Sequence, residues 1–289
     1  MFDRIHHVLI DAVLAGATEV LRVRRGGAID ARYKDATELV TEADRRSDAA
    51  MLSVLTARFP AIDPAISFEL EESGVTGTLG AKRVGADPLD GTTHFAAGGN
   101  LYSVMAHYIE DGVPLVGVVF QPEVYLPLTI TDTPSGRLAS AVRGCGATMC
   151  RTEFADGTFR LGTPQPIVKR ASSPRRTYLA CVPITARMGD AERALMRKVH
   201  DSGLIAGMTG TGNAGGNVMM TILGGQDVYM NLGAGVDLDL VPPQVIAQEV
   251  GLTVWGADRR PPVWHVRKQP FIVAQDEETA EKFLSAAGL

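Results

Sequence analysis

Asp87-Pro88-Leu89-Asp90-Gly91-Thr92-Thr93 sets two carboxylates three residues apart on a segment that Pro88 keeps out of regular helix and Gly91 releases into a tight turn. Two hard oxygen ligands then face one point. Magnesium takes oxygen ligands in near-octahedral geometry and keeps some of its water, so a bridging and a capping carboxylate suit a pair of ions. Gly91-Thr92-Thr93 would also open a short helix whose backbone N–H groups meet a phosphate. A plainer reading stays open, in which Asp90 closes an Asx turn and caps that helix. Glu71-Glu72, a little upstream, reads either as a further source of ligands or as a solvated acidic loop.

Strands must present these residues. The short apolar run 65–68 delivers Glu71 and Glu72 to its C-terminal end, and 83–86 does the same for Asp87. Ligands in sheet-based folds gather beyond strand ends, where loops converge on one crevice. Ile5, Val8, Leu9, Ala12, Val13, Ala17, Val20 and Leu21 recur at helical spacing, which predicts a long amphipathic helix ending near Gly26-Gly27. A loop with Tyr33-Lys34-Asp35 follows. Residues 39–44 then lead into a second helix, whose apolar positions Ala49, Leu52, Leu55 and Phe59 stop before Pro60. Dense β-branched and aromatic residues at 102–109, 113–121 and 125–131 predict an antiparallel meander turning at Asp111-Gly112. Segment 134–166 reads as further short strands and the boundary between two halves. Past it, 178–182, 191–201 and the glycine-rich 210–217 alternate strand and helix. Residues 241–250 predict a buried helix ended by Gly251, and 271–274 a last strand before a C-terminal helix.

The bulk composition narrows the partners. The 289 residues carry a formal net charge of −5, an ordinary globular balance that excludes a disordered or fibrous chain. The length fits two packed halves, taken as 1–140 and 141–289. No lysine and arginine stripe marks a nucleic-acid face. No segment approaches membrane-spanning apolar length, and Asp11 with His6-His7 interrupts what would be a signal core. Adjacent histidines point about 100° apart on a helix, so His6 and His7 are not read as a metal pair. Cys145, Cys150 and Cys181 lack a C-x-x-C spacing and read as small buried hydrophobes in a reducing cytoplasm. An acidic protein that handles a phosphate must neutralise it locally, and a divalent cation is the usual means.

The signature at 87–93 is similar to that of the inositol monophosphatase family, and Leu70-Glu71-Glu72-Ser73 resembles the Gly-Glu-Glu-Ser element expected shortly upstream. Leu39-Val40-Thr41-Glu42-Ala43-Asp44 resembles a third family element. The stretch 239–251 resembles the C-terminal aspartate, helix and Glu-Ala-Gly segment, so the likeness covers about residue 5 to 275. It implies a layered α-β-α-β-α sandwich of the sugar-phosphatase type, of mixed α+β and α/β build. The first half would carry most metal ligands and the second would complete the site. Carried over, the resemblance implies that Glu71, Asp87, the Leu89 carbonyl, Asp90 and Asp239 hold two or three magnesium ions. Thr92 and Asp44 would orient and deprotonate the attacking water, with Glu71 assisting. Asp90, Gly91, Thr92, Gly212, Asn213, Asn231 and Asp239 would surround the substrate. The implied reaction is hydrolysis of inositol monophosphate or a related small sugar or polyol phosphate, without a phosphoenzyme, by a cytoplasmic homodimer.

The sequence departs from the family pattern at several points. Leu238 stands where tryptophan is common, and Asp237 before it is a rival to Asp239, while Pro242-Pro243 follow. Asn231 falls near a glutamate that holds inositol hydroxyls, His94 replaces asparagine, and Asn213 replaces threonine. Lys34 lies one position from the family's lysine and is left out of the site. Relatives on this fold hydrolyse fructose bisphosphate, histidinol phosphate or adenosine bisphosphate. Thr93, where the nucleotide-phosphate branch carries lysine, ranks that last substrate lower. From another class, a non-catalytic metal- or ligand-binding relative fits the altered residues around Asp239.

Overall fold

The apolar stripe at the N-terminus becomes α1 (Phe2–Arg25), and all eight residues of the expected face are buried. The computed structural model describes residues 1–27, 30–33, 39–78, 80–125, 135–171, 176–185, 188–233 and 235–289. Lys34, Asp35, Pro134 and the end of the strand expected at 125–131 lie outside the described residues. Tyr33, expected in a loop, ends the short strand β1 (Ala31–Tyr33), which pairs with β2 (Leu39–Thr41). Thr41 then caps α2 (Glu42–Arg58), which gives way to a 3-10 turn at Phe59–Ala61 as Pro60 requires.

The expected meander is the middle of a sheet that has nine strands among the described residues. Its strands are β3 (Ser67–Leu70), β4 (Gly74–Thr76), β5 (Lys82–Asp90), β6 (Ser103–Glu110), β7 (Val113–Tyr125), β8 (Ser135–Val142), β9 (Ala147–Ala155), β10 (Thr158–Leu161) and β11 (Gln165–Pro166). The short helix α3 (Thr92–Ala96) separates β5 from β6. The β6–β7 hairpin turns on Asp111 and Gly112, both at positive φ (50° and 77°), the conformation of the favoured two-residue turn. The sheet runs past residue 140 to Pro166, and a second sheet begins at β12 (Tyr178–Cys181). That sheet adds β13 (Ile205–Met208), β14 (Val228–Asn231), β15 (Thr253–Trp255) and β16 (Phe271–Ala274), in the order β13-β12-β14-β16-β15.

Helices fill the spaces between and outside the sheets. α1 and α2 cover one face of the large sheet, and α5 (Ala214–Ile222) and α6 (Asp237–Val250) lie between the two sheets. α4 (Asp190–Asp201) and α7 (Glu277–Ala287) cover the outer face of the second sheet. The result is the α-β-α-β-α layering, with one apolar cluster beneath each outer helical layer and a third that spans the space between the two sheets. Among the described residues no helix is long and apolar enough to cross a membrane. Cys150 and Cys181 are buried as expected, whereas Cys145 is exposed on the β8–β9 turn. Apolar character places a small side chain in a core only where the backbone passes through one, and this turn does not.

The helix expected at 241–250 starts four residues earlier, at Asp237, and carries Pro242 and Pro243 inside it. Asp239 stabilises that start, its Oδ2 accepting from the Val236 N–H at 3.3 Å. The prolines stand in the second turn and omit two bonds of a helix that buries almost every residue.

His107 occupies the middle of β6, opposite Gly85 of β5, where a Gly85 side chain would strike its ring. It is fully buried, and among the described residues neither ring nitrogen has a hydrogen-bond partner. Burial, and secondarily the Arg83 guanidinium, pushes its pKa well below the usual imidazole value. A folded-state pKa below the unfolded one means that the unfolded chain binds the extra proton. Stability is therefore complete above about pH 6.5 and falls as pH drops towards the depressed value. Between pH 6.5 and 5.5 this group should remove about 1 kcal/mol. His107→Leu is expected to flatten that part of the profile, as read from urea midpoints at the two pH values.

Candidate active site

β3 and β5 run parallel with Leu70 opposite Ala86, so the chain delivers the next residues, Glu71 and Asp87, side by side at the same sheet end. The Glu71 N–H donates to the Ala86 carbonyl at 3.2 Å, extending the ladder by one step. Asp87 and Asp90 are three apart and would face opposite sides of a regular strand. A slip in the β5–β6 register corrects this: Asp87 pairs with Met105 and Asp90 with Ser103, so three steps on β5 match two on β6. The bulge and Pro88 turn both carboxylates to one side. Past it, Gly91 has φ 97°, and a side chain there would meet Asn213 and the Leu101 carbonyl.

The last carboxylate comes from the other half. Asp239, in the first turn of α6, lines the same cavity of about 430 Å³ as Glu71, Asp87, Leu89, Asp90, Gly91, Thr92 and Thr93. Gly212, Asn213 and Asn231 line it too. Asp237, the rival reading, is turned away. Its carboxylate is fully buried and pairs with Arg83 at 2.7 Å and Arg267 at 3.7 Å, in a network that includes Glu69.

Asp90 also anchors the second half, its two oxygens accepting from the N–H groups of Ala214 (3.0 Å) and Gly215 (2.7 Å) at the start of α5. A negative charge is favoured at that end of a helix. Asp44 lies just behind the cavity. Thr92 Oγ1 stands 2.8 Å from Asp44 Oδ1 and 3.0 Å from the Leu89 carbonyl, while the Thr41 N–H and hydroxyl both donate to Asp44 Oδ2 at 2.7 and 2.6 Å. Thr41 caps α2, and Asp44 is its capping partner three residues on. Burial raises the Asp44 pKa against the lowering pull of its Thr41 and Thr92 hydrogen bonds.

Two residues expected at the substrate spend their side chains on the scaffold. Asn213 caps α5 through the Gly216 N–H and donates to the Leu101 carbonyl at 2.7 Å. Asn231 Oδ1 accepts from Gly233 and Gly235 at 3.0 and 3.3 Å, and its amide donates to the Tyr229 hydroxyl at 3.1 Å. His94 packs against Gly99 and Gly212 rather than lining the cavity. The glycine-rich loop is no loose connector, since Asn217 Oδ1 accepts from the Thr211 N–H (2.7 Å) and hydroxyl (3.0 Å). Sequence reasoning missed Ser47, Asp48 and Asn217 as organisers of the site, and Cys181 as part of its wall. The first two were detectable, because both share a helix face with Asp44.

Burial pushes the Asp87 carboxyl well above its usual range, and Glu71, Asp90 and Asp239 push it further. No lysine or arginine stands among the described lining residues to offset these charges. Four carboxylates and a carbonyl form an all-oxygen donor set, which fits a hard divalent cation. Among the described residues no three His, Cys, Asp or Glu side chains are gathered tightly enough to hold an ion unaided. Water or substrate oxygens would thus complete its shell, as magnesium's retained water allows.

Comparison with known proteins agrees with this picture. The chain is 38% identical over 117 residues to an inositol-1-monophosphatase of Synechocystis, covering 40% of this chain and 39% of that protein. It is 36% identical over 108 residues to a histidinol-phosphatase of Mycobacterium tuberculosis, covering 37% and 40%. The matched stretch thus spans about two fifths of each of these curated relatives. In fold, it resembles the extragenic suppressor protein suhB of Bartonella henselae, with a TM-score of 0.72, 21% identity and 98% of each chain covered. It also resembles a solved IMPase/NADP phosphatase complexed with Mg2+ and phosphate, with a TM-score of 0.68, 17% identity, and 93% and 90% covered. The model of the inositol monophosphatase family matches residues 3–288, a span that includes both sheets and every carboxylate of the cavity, and the chain belongs to that family.

Proposed function

We propose that the protein is a magnesium-dependent phosphomonoesterase acting on inositol monophosphate or a related small sugar or polyol phosphate. The observation that carries this is the convergence of Glu71, Asp87, Asp90 and Asp239 on one cavity that has no basic residue among its described lining. Magnesium bound there would lower the pKa of a water and shield the phosphate charge. Glu71, Asp87, the Leu89 carbonyl, Asp90 and Asp239 are the groups suited to hold it.

The chain's own part is to orient the water and the phosphate. The Thr92 hydroxyl has a single proton, and Asp44 Oδ1 is its nearer acceptor. Donating there leaves a lone pair to accept a hydrogen bond from water in the cavity, so that a proton taken from that water is matched by one passed from Thr92 to Asp44, which Thr41 keeps aligned. The leading N–H groups of α3 have no acceptor within the helix and suit phosphate oxygens. Away from the carboxylates the described lining is neutral and mixed, with Thr185, Thr209 and Asn217 beside Leu39, Pro183 and Met208, which suits an uncharged hydroxylated body. No described lining residue offers a cation to a second phosphate, which favours monophosphates over bisphosphates. A homodimer and a cytoplasmic setting belong to the same reading, the latter supported by three free cysteines.

Phosphate release from inositol monophosphate, histidinol phosphate, fructose bisphosphate and adenosine bisphosphate, with and without magnesium, tests the reading. Release from the first, abolished by chelation, is expected. Asp44→Asn should lower kcat by about 100- to 10,000-fold, with a smaller change in KM. No metal-dependent release from any of the four would favour a non-catalytic relative.

A further inference from the structure

Asp44, Ser47 and Asp48 stand at i, i+3 and i+4 on α2, one face of the helix, and all three are buried. Together they hold two segments. Asp44 accepts from Thr92, and Ser47 donates its hydroxyl to the Pro88 carbonyl at 2.8 Å, both inside the segment that carries Asp87 and Asp90. Asp48 reaches the other. Its Oδ1 accepts from the N–H groups of Glu72 (3.1 Å) and Ser73 (3.3 Å), and its Oδ2 from the Ser73 hydroxyl.

Glu71 sits just beyond the end of β3, in an exposed turn. On its N-terminal side the ladder bond to Ala86 fixes its backbone. On its C-terminal side the chain makes the turn 71–73 before β4 pairs back onto β3 from Gly74, and within that turn the bonds to Asp48 hold the backbone. A glutamate has three side-chain torsions, so a turn that drifts would spread its carboxylate over several positions. We infer that Asp48 is a positioning residue for Glu71, fixing the turn that aims this carboxylate into the cavity. This rests on the proposed function, in which Glu71 holds a cation. It makes α2 the common reference for two parts of the site, the turn after β3 and the 88–92 stretch.

The role is one of hydrogen-bond geometry, which separates it from a contribution of charge. An asparagine at position 48 can still accept both N–H groups through its oxygen and donate its amide to the Ser73 hydroxyl, which accepts as readily as it donates. Alanine can do neither. Calorimetric titration of the intact protein with Mn2+ alone therefore tests the inference without reference to turnover. Asp48→Ala is expected to weaken Mn2+ binding by about 10- to 100-fold, the range for groups that orient a ligand. Asp48→Asn should lie closer to wild type than to Asp48→Ala. A merely structural role would lower the melting temperature of the Mn2+-free protein and leave the affinity of the folded fraction unchanged, and that result overturns the inference. If Asp48→Ala fails to fold, Ser73→Ala decides, with weaker Mn2+ binding supporting the inference and unchanged binding overturning it. Glu71→Gln is the separate control. Should it bind Mn2+ as tightly as wild type, the proposed function itself fails, whatever Asp48 does.

Discussion

Asp90→Asn is expected to lower magnesium-dependent phosphate release by about a thousandfold, because a metal site supplies several kcal/mol and each tenfold in rate is about 1.4 kcal/mol. The fold should persist. An asparagine oxygen can keep one of the two α5 bonds made by Asp90 to Ala214 and Gly215, so the loss of stability should be near that of a weakened cap, about 1 kcal/mol. Rates over a magnesium titration, together with a thermal melt, separate the two effects. Comparable losses in both would mean that Asp90 serves α5 and not the chemistry.

The largest effect on stability is expected at Arg83, far less conspicuous in the sequence than the acidic signature. Its side chain is 14% exposed and ties β5 to the start of α6 through Asp237, which is fully buried. It also donates to the Trp264 carbonyl at 3.3 Å. Arg83→Met would leave buried Asp237 with the Leu238 N–H and, as its remaining cation among the described residues, Arg267, whose side chain is 59% exposed and whose contact is longer. Removing one member of a buried pair strands the other charge and costs about 3–5 kcal/mol. Urea unfolding of Arg83→Met should show that loss, and the double variant with Asp237→Leu should recover much of it, since two apolar groups strand no charge. If the double variant is no better than the single one, Arg83 acts by packing alone.

The elements governed by local rules were the most legible in the sequence, because periodicity and turn chemistry agreed there. The helical stripe from Ile5 to Leu21, the Asp111-Gly112 turn and the apolar runs ahead of Glu71 and Asp87 each follow from local rules. Three features lay beyond those rules. The bulge between Asp87 and Asp90 is a property of the pairing with β6, which no single strand reveals. The early start of α6 depends on burial that outweighs the prolines. The choice between Asp237 and Asp239 depended on Arg83, 154 residues away, which takes up the first and leaves the second to the cavity. Asn213 and Asn231 show the converse, since polar residues that looked directed at a substrate also serve as caps and loop ties.

Crystals grown with manganese and phosphate, with anomalous maps phased on the protein, test the central claim most directly. Anomalous peaks are expected in the cavity, in contact with Glu71, Asp87, the Leu89 carbonyl, Asp90 and Asp239, with phosphate against Gly91, Thr92 and Thr93. Manganese bound only elsewhere on the surface, or none in the cavity at saturating concentration, would contradict it.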